Sequence, residues 1–135
     1  MHWLVAEDDH DIRNLLVLLA ELWGHRVTAF ESGQRVWDWM DTVEDDTCDG
    51  PMPDLVIMDI RMPAYRGDQI AQRMRSSPRM KHLPIVLMTA FVMSDSEHAH
   101  VIASTGADCV INKPLPDFSE LQTILNNVVN QRSVS

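Results

Sequence analysis

Apolar positions along this chain switch five times between two spacings. Trp3 to Ala6 is a short unbroken apolar run, the mark of a strand. Behind it, Ile12, Leu15, Leu16, Leu19 and Trp23 recur every three or four residues, as on a helix buried along one face. Asp9 or Asp11 supplies the N-cap of that helix and Gly24 its stop. Val27 to Phe30 reads as a second strand, and Ser32 caps a second helix with the stripe Val36, Trp39, Met40 and Val43. An acidic surface connection follows (Glu44, Asp45, Asp46, Asp49) and closes on Gly50, Pro51 and Pro53. Leu55 to Met58 is the third strand, ending at Asp59. The third helix runs from about Asp68 to Arg75, ended by Ser76, Ser77 and Pro78. Pro84 introduces the fourth strand, Ile85 to Met88, and Ser94 and Gly106 bracket the fourth helix. Cys109 to Ile111 is the fifth strand. Asp117 or Ser119 caps the fifth helix, whose stripe is Leu121, Ile124, Leu125 and Val128.

Strands one, three, four and five are apolar on both alternating faces, which is the pattern of parallel strands covered on two sides. Five strand–helix units joined by right-handed crossovers give an α/β fold with a doubly wound, five-stranded parallel sheet. Ligand sites in such sheets lie outside the carboxyl ends of the strands.

Composition narrows the picture further. The 135 residues, with 45% hydrophobic and 23% charged, fit one globular domain spanning 1–135. The last helix runs nearly to Ser135, so no span is expected for an output domain. A formal charge of −9 without any basic run argues against direct nucleic-acid binding. No stretch approaches the roughly 20 apolar residues of a membrane span, and no signal peptide is apparent. Cys48 and Cys109 match no metal spacing and no disulfide framework, which suits a reducing, cytoplasmic location. The six histidines show no ligand cluster. On the first helix Val17 is expected to point away from the buried stripe, with Leu18 at its edge. Trp37 lies off the stripe of the second.

The chemistry-bearing residues gather at the strand ends. Strand one ends in Glu7, Asp8 and Asp9, strand three in Asp59, strand four in Thr89, and strand five in Asn112, Lys113 and Pro114. Crowded carboxylates repel, and a hard divalent cation such as Mg²⁺ relieves them. Asp59 is then a candidate nucleophile toward phosphorus. Mg²⁺ on one side and the Lys113 ammonium on the other would neutralise phosphoryl oxygens, with the Thr89 hydroxyl and a nearby backbone N–H donating to a third.

With these residues in place, the chain resembles the receiver domain of two-component response regulators over nearly its whole length. The matching pieces are Leu4-Val5-Ala6-Glu7-Asp8-Asp9, Asp54 through Pro63 with Gly67, Pro84 through Ala90, and Gly106-Ala107-Asp108 leading to Lys113-Pro114. Their order, with 30 residues from Asp59 to Thr89, is specific. The resemblance implies the flavodoxin-like strand order 2-1-3-4-5. It implies Asp59 as phosphoacceptor, with Thr89, Lys113 and the backbone N–H of Ala90 contacting the phosphoryl group. It implies Mg²⁺ bound by Asp8 and Asp59, by the Arg61 backbone carbonyl, and by Glu7 mainly through water. A cis Lys113-Pro114 bond is implied too. The implied partners are a histidine kinase or histidine phosphotransfer protein and an unknown downstream protein, the domain itself being a monomer or a weak homodimer. Such a domain catalyses only its own phosphorylation and dephosphorylation.

Three positions distinguish this chain within that pattern. Val110 stands three residues before the lysine, where many receivers carry Tyr or Phe. Phe91 and Arg61, each two residues after Thr89 and Asp59, crowd the mouth of the site and are expected to tune dephosphorylation. An aspartate-nucleophile phosphohydrolase would place a second acid where Arg61 stands. A degenerate scaffold would lack Asp59, Asp8 or Lys113, all of which are present.

Overall fold

Strand formation follows the apolar runs, and helix formation follows the capped amphipathic segments between them. In the computed structural model, which describes residues 1–134, the order is β1 (His2–Ala6), α1 (His10–Leu22), β2 (Arg26–Phe30), α2 (Gly33–Glu44), β3 (Leu55–Asp59), α3 (Gly67–Ser76), β4 (Ile85–Thr89), α4 (Asp95–Thr105), β5 (Cys109–Asn112) and α5 (Phe118–Val134). All strand pairs are parallel, in the order β2-β1-β3-β4-β5.

The caps resolve the alternatives that the sequence leaves open. Asp9 rather than Asp11 caps α1, its carboxylate accepting from the Asp11 and Ile12 N–H groups. Asp117 rather than Ser119 accepts from the Glu120 N–H at the start of α5. Ser32 accepts from Arg35 N–H, and Ser94 forms a capping box with Glu97. Gly106 ends α4 in the left-handed conformation at φ 77°.

Alternation along the strands divides the core into two layers. Leu4, Ala6, Val56, Met58, Ile85, Leu87 and Val110 face α2 and α3, packing on Val36, Met40, Ile70 and Met74. Trp3, Val5, Leu55, Ile57, Val86, Met88 and Ile111 face α1 and α5, packing on Leu16, Leu19, Leu121 and Leu125. Among the described residues, strand β2, at the sheet edge, is the only strand with no fully buried residue. On α1 the expected outward residue is corrected. Val17 is half-buried, whereas Leu18 and Leu22 are 54% and 69% exposed. Helix α1 buries Leu16, Leu19 and Ala20, and at 100° per residue Leu18 and Leu22 fall on the opposite side. Cys109 is half-buried, and Trp37 is half-buried against the α2–α3 layer.

At the ends of the strands remote from the carboxyl edge, Arg75 ties several elements together. Its Nε donates to the Gly106 carbonyl (2.7 Å) and its Nη1 to those of Lys81 and Leu83 (2.8 and 2.6 Å). Its Nη2 meets the Asp108 carboxylate at 3.0 Å, which also accepts from Arg132 Nε and from Ile85 N–H. The acids at the end of α2 and in the α2–β3 connection are partly neutralised, Arg73 pairing with Asp41 and Glu44 on α2 and Arg79 with Asp46 in the connection. Among the described residues, no helix is long and apolar enough to cross a membrane.

Candidate functional site

Parallel register sets the site. Ala6 pairs with Met58, Asp59 with Met88, and Thr89 with Asn112, so the residues that follow these pairs emerge side by side at the carboxyl edge. Glu7, Asp8 and Asp59 each offer a carboxylate oxygen within 4.8 Å of the others. Lys113 reaches in from the end of β5, with its Nζ 2.7 Å from Glu7 Oε1 and 3.4 Å from Asp59 Oδ2. Thr89 is buried at the end of β4, and the Lys113 N–H donates to its carbonyl at 2.7 Å. The Lys113-Pro114 peptide bond is cis.

Glycine at 67 is a condition of this arrangement. Helix α3 starts so close to β3 that a Cβ on Gly67 would overlap the Asp59 carbonyl. The Gly67 N–H donates to the Ile60 carbonyl at 2.9 Å, closing the β3–α3 loop beneath the acid.

The electrostatics are those of a site short of positive charge. Glu7 is completely buried and Asp59 is 6% exposed, while Asp8 opens to solvent. Burial is the main cause that pushes the Glu7 carboxyl up to about 7, against the hydrogen bond from Lys113 and with help from the Asp59 charge. Burial also raises Asp59, opposed by Lys113 and by a backbone hydrogen bond from Arg61. Burial works against the Lys113 charge, yet its Glu7 hydrogen bond and the two carboxylates outweigh this and raise its pKa. One lysine thus serves two buried acids. Glu7 Oε2 is moreover buried with no hydrogen-bond partner. An orphaned carboxylate oxygen beside two further carboxylates is an all-oxygen donor set suited to a hard divalent cation.

The structure brings Glu7, Asp8, Asp59, Thr89 and Lys113 together as the sequence predicts. Ala90 and Arg61 flank them, Ala90 exposed just after Thr89. The Thr89 hydroxyl here accepts from the Phe91 N–H at 3.1 Å. The Arg61 guanidinium lies 4.0 Å from the centre of the Phe91 ring, and that ring is half exposed. This cation–π pair at the site's mouth has a sequence signal, since each member stands two residues past a site residue. Arg13, whose Nη1 donates to the Glu7 carbonyl at 2.9 Å, has none. Val110 is buried in the α2–α3 layer. His98 reaches Asn112 Oδ1 at 3.2 Å, linking α4 to the end of β5.

Acids at the ends of β1 and β3 with a lysine at the end of β5, on a doubly wound 2-1-3-4-5 sheet, define a receiver-type architecture. The family described as response regulator receiver domain matches residues 3–126, and the chain belongs to it. Response regulator Rre1 of Synechocystis sp. is 28% identical over 133 residues, covering 98% of this chain and 53% of that protein. Protein RcaC of Microchaete diplosiphon is 25% identical over 130 residues, covering 96% of this chain and 18% of that protein. The chain therefore spans about half of one relative and under a fifth of the other. A putative response regulator from Chloroflexus aurantiacus superposes with a TM-score of 0.78 at 25% identity, covering 96% of this chain and 97% of that one. Response regulator TrrA of Thermotoga maritima, solved in complex with Mg²⁺-BeF, gives a TM-score of 0.73 at 26% identity, covering 94% and 97%. Receiver domains are the signalling domains of two-component systems. Phosphorylation by a histidine kinase and action on a downstream partner are their general role.

Proposed function

We propose that Asp59 is the phosphoacceptor of this receiver and that the domain catalyses its own phosphorylation from a phosphohistidine donor. A carboxylate oxygen of Asp59 forms the new bond to phosphorus. The bond from phosphorus to the donor imidazole nitrogen breaks, and the imidazole regains a proton from water. Asp8, Asp59 and the Arg61 backbone carbonyl, with Glu7 acting mainly through water, would hold Mg²⁺, which would supply charge neutralisation to the phosphoryl group. Lys113 supplies it as well, exchanging part of its contact with Glu7 for a phosphoryl oxygen. The Thr89 hydroxyl leaves the Phe91 N–H to donate to a second oxygen, and the Ala90 N–H donates beside it. The Arg61–Phe91 pair limits water at the mouth and so sets the lifetime of the aspartyl phosphate.

The donor is a histidine kinase or a histidine phosphotransfer protein. The domain, residues 1–135, works in the cytoplasm as a monomer or weak homodimer, and its target is a protein rather than nucleic acid or a membrane. The observation that carries this reading is the Lys113 ammonium 2.7 Å from buried Glu7 and 3.4 Å from buried Asp59, a cation placed between two acids. The test is intact mass after incubation with acetyl phosphate, with and without Mg²⁺, on the wild type and Asp59→Asn. A Mg²⁺-dependent gain of one phosphoryl group that Asp59→Asn lacks is expected. A gain that survives the substitution moves the acceptor elsewhere, and no gain at all removes the proposed chemistry.

A further inference from the structure

We propose that phosphorylation is transmitted to α2 through the stack of Tyr65 on Trp37, a reading that rests on Asp59 as phosphoacceptor. Tyr65 belongs to the loop that leaves Asp59. This loop is short and internally tied, with Tyr65 N–H donating to the Pro63 carbonyl, Gly67 N–H to that of Ile60, and Ala64 in the left-handed region at φ 69°. A displacement near Asp59 is therefore carried along the loop rather than absorbed by slack.

At its far end the loop is fixed to α2 in two ways. The Tyr65 and Trp37 rings are 3.9 Å apart and parallel within 2°. The Tyr65 carbonyl also packs against α2 so closely that a Cβ on Gly33 would overlap it. Trp37 is in turn tied to α3. The Arg73 guanidinium lies 4.4 Å from its ring centre, Arg73 Nη1 donates to the Trp37 carbonyl at 3.3 Å, and Arg73 Nη2 pairs with Asp41 and Glu44 on α2. Tyr65, Trp37 and Arg73 thus join the acceptor loop to one face of two helices. At the far edge of the sheet, Val110 on β5 is a buried aliphatic side chain with no polar end to exchange between core and solvent.

The experiment compares amide hydrogen exchange of residues 33–44 before and after treatment with acetyl phosphate and Mg²⁺, with intact mass read on the same samples. Wild type, Tyr65→Phe and Tyr65→Ala are tested. In wild type and Tyr65→Phe, which keeps the stacked ring, phosphorylation is expected to change exchange in α2 by several-fold. In Tyr65→Ala the phosphoryl group is still gained, but the α2 response is lost. Trp37→Phe gives a second readout: the phosphorylation-dependent change in tryptophan emission disappears although three other tryptophans remain. A full α2 response in phosphorylated Tyr65→Ala overturns the proposal, as does phosphorylated wild type with unchanged exchange in α2. Absence of phosphorylation in wild type instead removes the acceptor reading on which it rests, and the two failures are told apart by mass.

Discussion

Replacing Glu7 by Gln should flatten the pH dependence of stability in the metal-free protein. The Glu7 carboxyl rises from an ordinary 4.5 to about 7 because it is buried. A carboxyl with a raised pKa in the folded state binds its proton more tightly when folded. Its favourable contribution is full below pH 4.5, is lost as pH rises to about 7, and changes no further above that. At about 1.4 kcal/mol per pH unit, this interval corresponds to a loss of ~3 kcal/mol. Gln keeps an oxygen to accept from Lys113 at all pH values. It also places an amide where Glu7 Oε2 has no partner, a penalty of about 1–2 kcal/mol. The variant should therefore be less stable than wild type near pH 4.5 and more stable by roughly 1–2 kcal/mol at pH 8. The assay is urea denaturation in EDTA at several pH values from 4.5 to 8, repeated with excess Mg²⁺. Mg²⁺ should stabilise wild type more than the variant at pH 8, because binding to the folded state adds stability by mass action. Stability curves of the two proteins that run parallel from pH 4.5 to 8 would refute the assignment of Glu7 as the strained acid.

Two further substitutions probe the frame around the site. Gly67→Ala places a Cβ against the Asp59 carbonyl, and urea denaturation should show a loss of roughly 1–3 kcal/mol, together with slower gain of the phosphoryl group by mass. Asp108→Ala removes the carboxylate that Arg75, Arg132 and Ile85 N–H share, and chemical denaturation should show a loss of roughly 3–5 kcal/mol, while a loss under 1 kcal/mol would show that the cluster is dispensable.

The elements most legible in the sequence are those whose signal is local. Buried strands such as Leu55–Asp59 announce themselves by an unbroken apolar run, and Ser32, Ser94 and Gly106 mark helix ends through short-range hydrogen bonds and backbone conformation. The choice between Asp9 and Asp11 depended on which carboxylate faces the free N–H groups, a matter of a single residue's φ and ψ. Val17 and Leu18 were exchanged because adjacent residues differ by only 100° around a helix, and the buried centre of α1 is set by the sheet beneath it. The acids, Thr89 and Lys113 could be placed at one edge because parallel strands bring their carboxyl ends together. Arg75, Arg13 and the Tyr65–Trp37 stack could not, since each contact depends on how separate elements approach in space. Gly33 and Gly67 are small for the same reason, and only the neighbouring backbone reveals it.

The bond from Lys113 to Glu7 joins residues 106 positions apart. Such a contact forms late, because closing so long a loop costs entropy that intervening strand pairs must first reduce. Strand β1 lies inside the sheet, and β5 lies at its far edge, paired with β4. A chain still lacking β5 can therefore gather the acids of β1 and β3 but not the cation that sits between them. If Asp59 accepts a phosphoryl group as proposed, that capacity would arrive only with the last strand, and a chain cut before β5 would not gain one by mass.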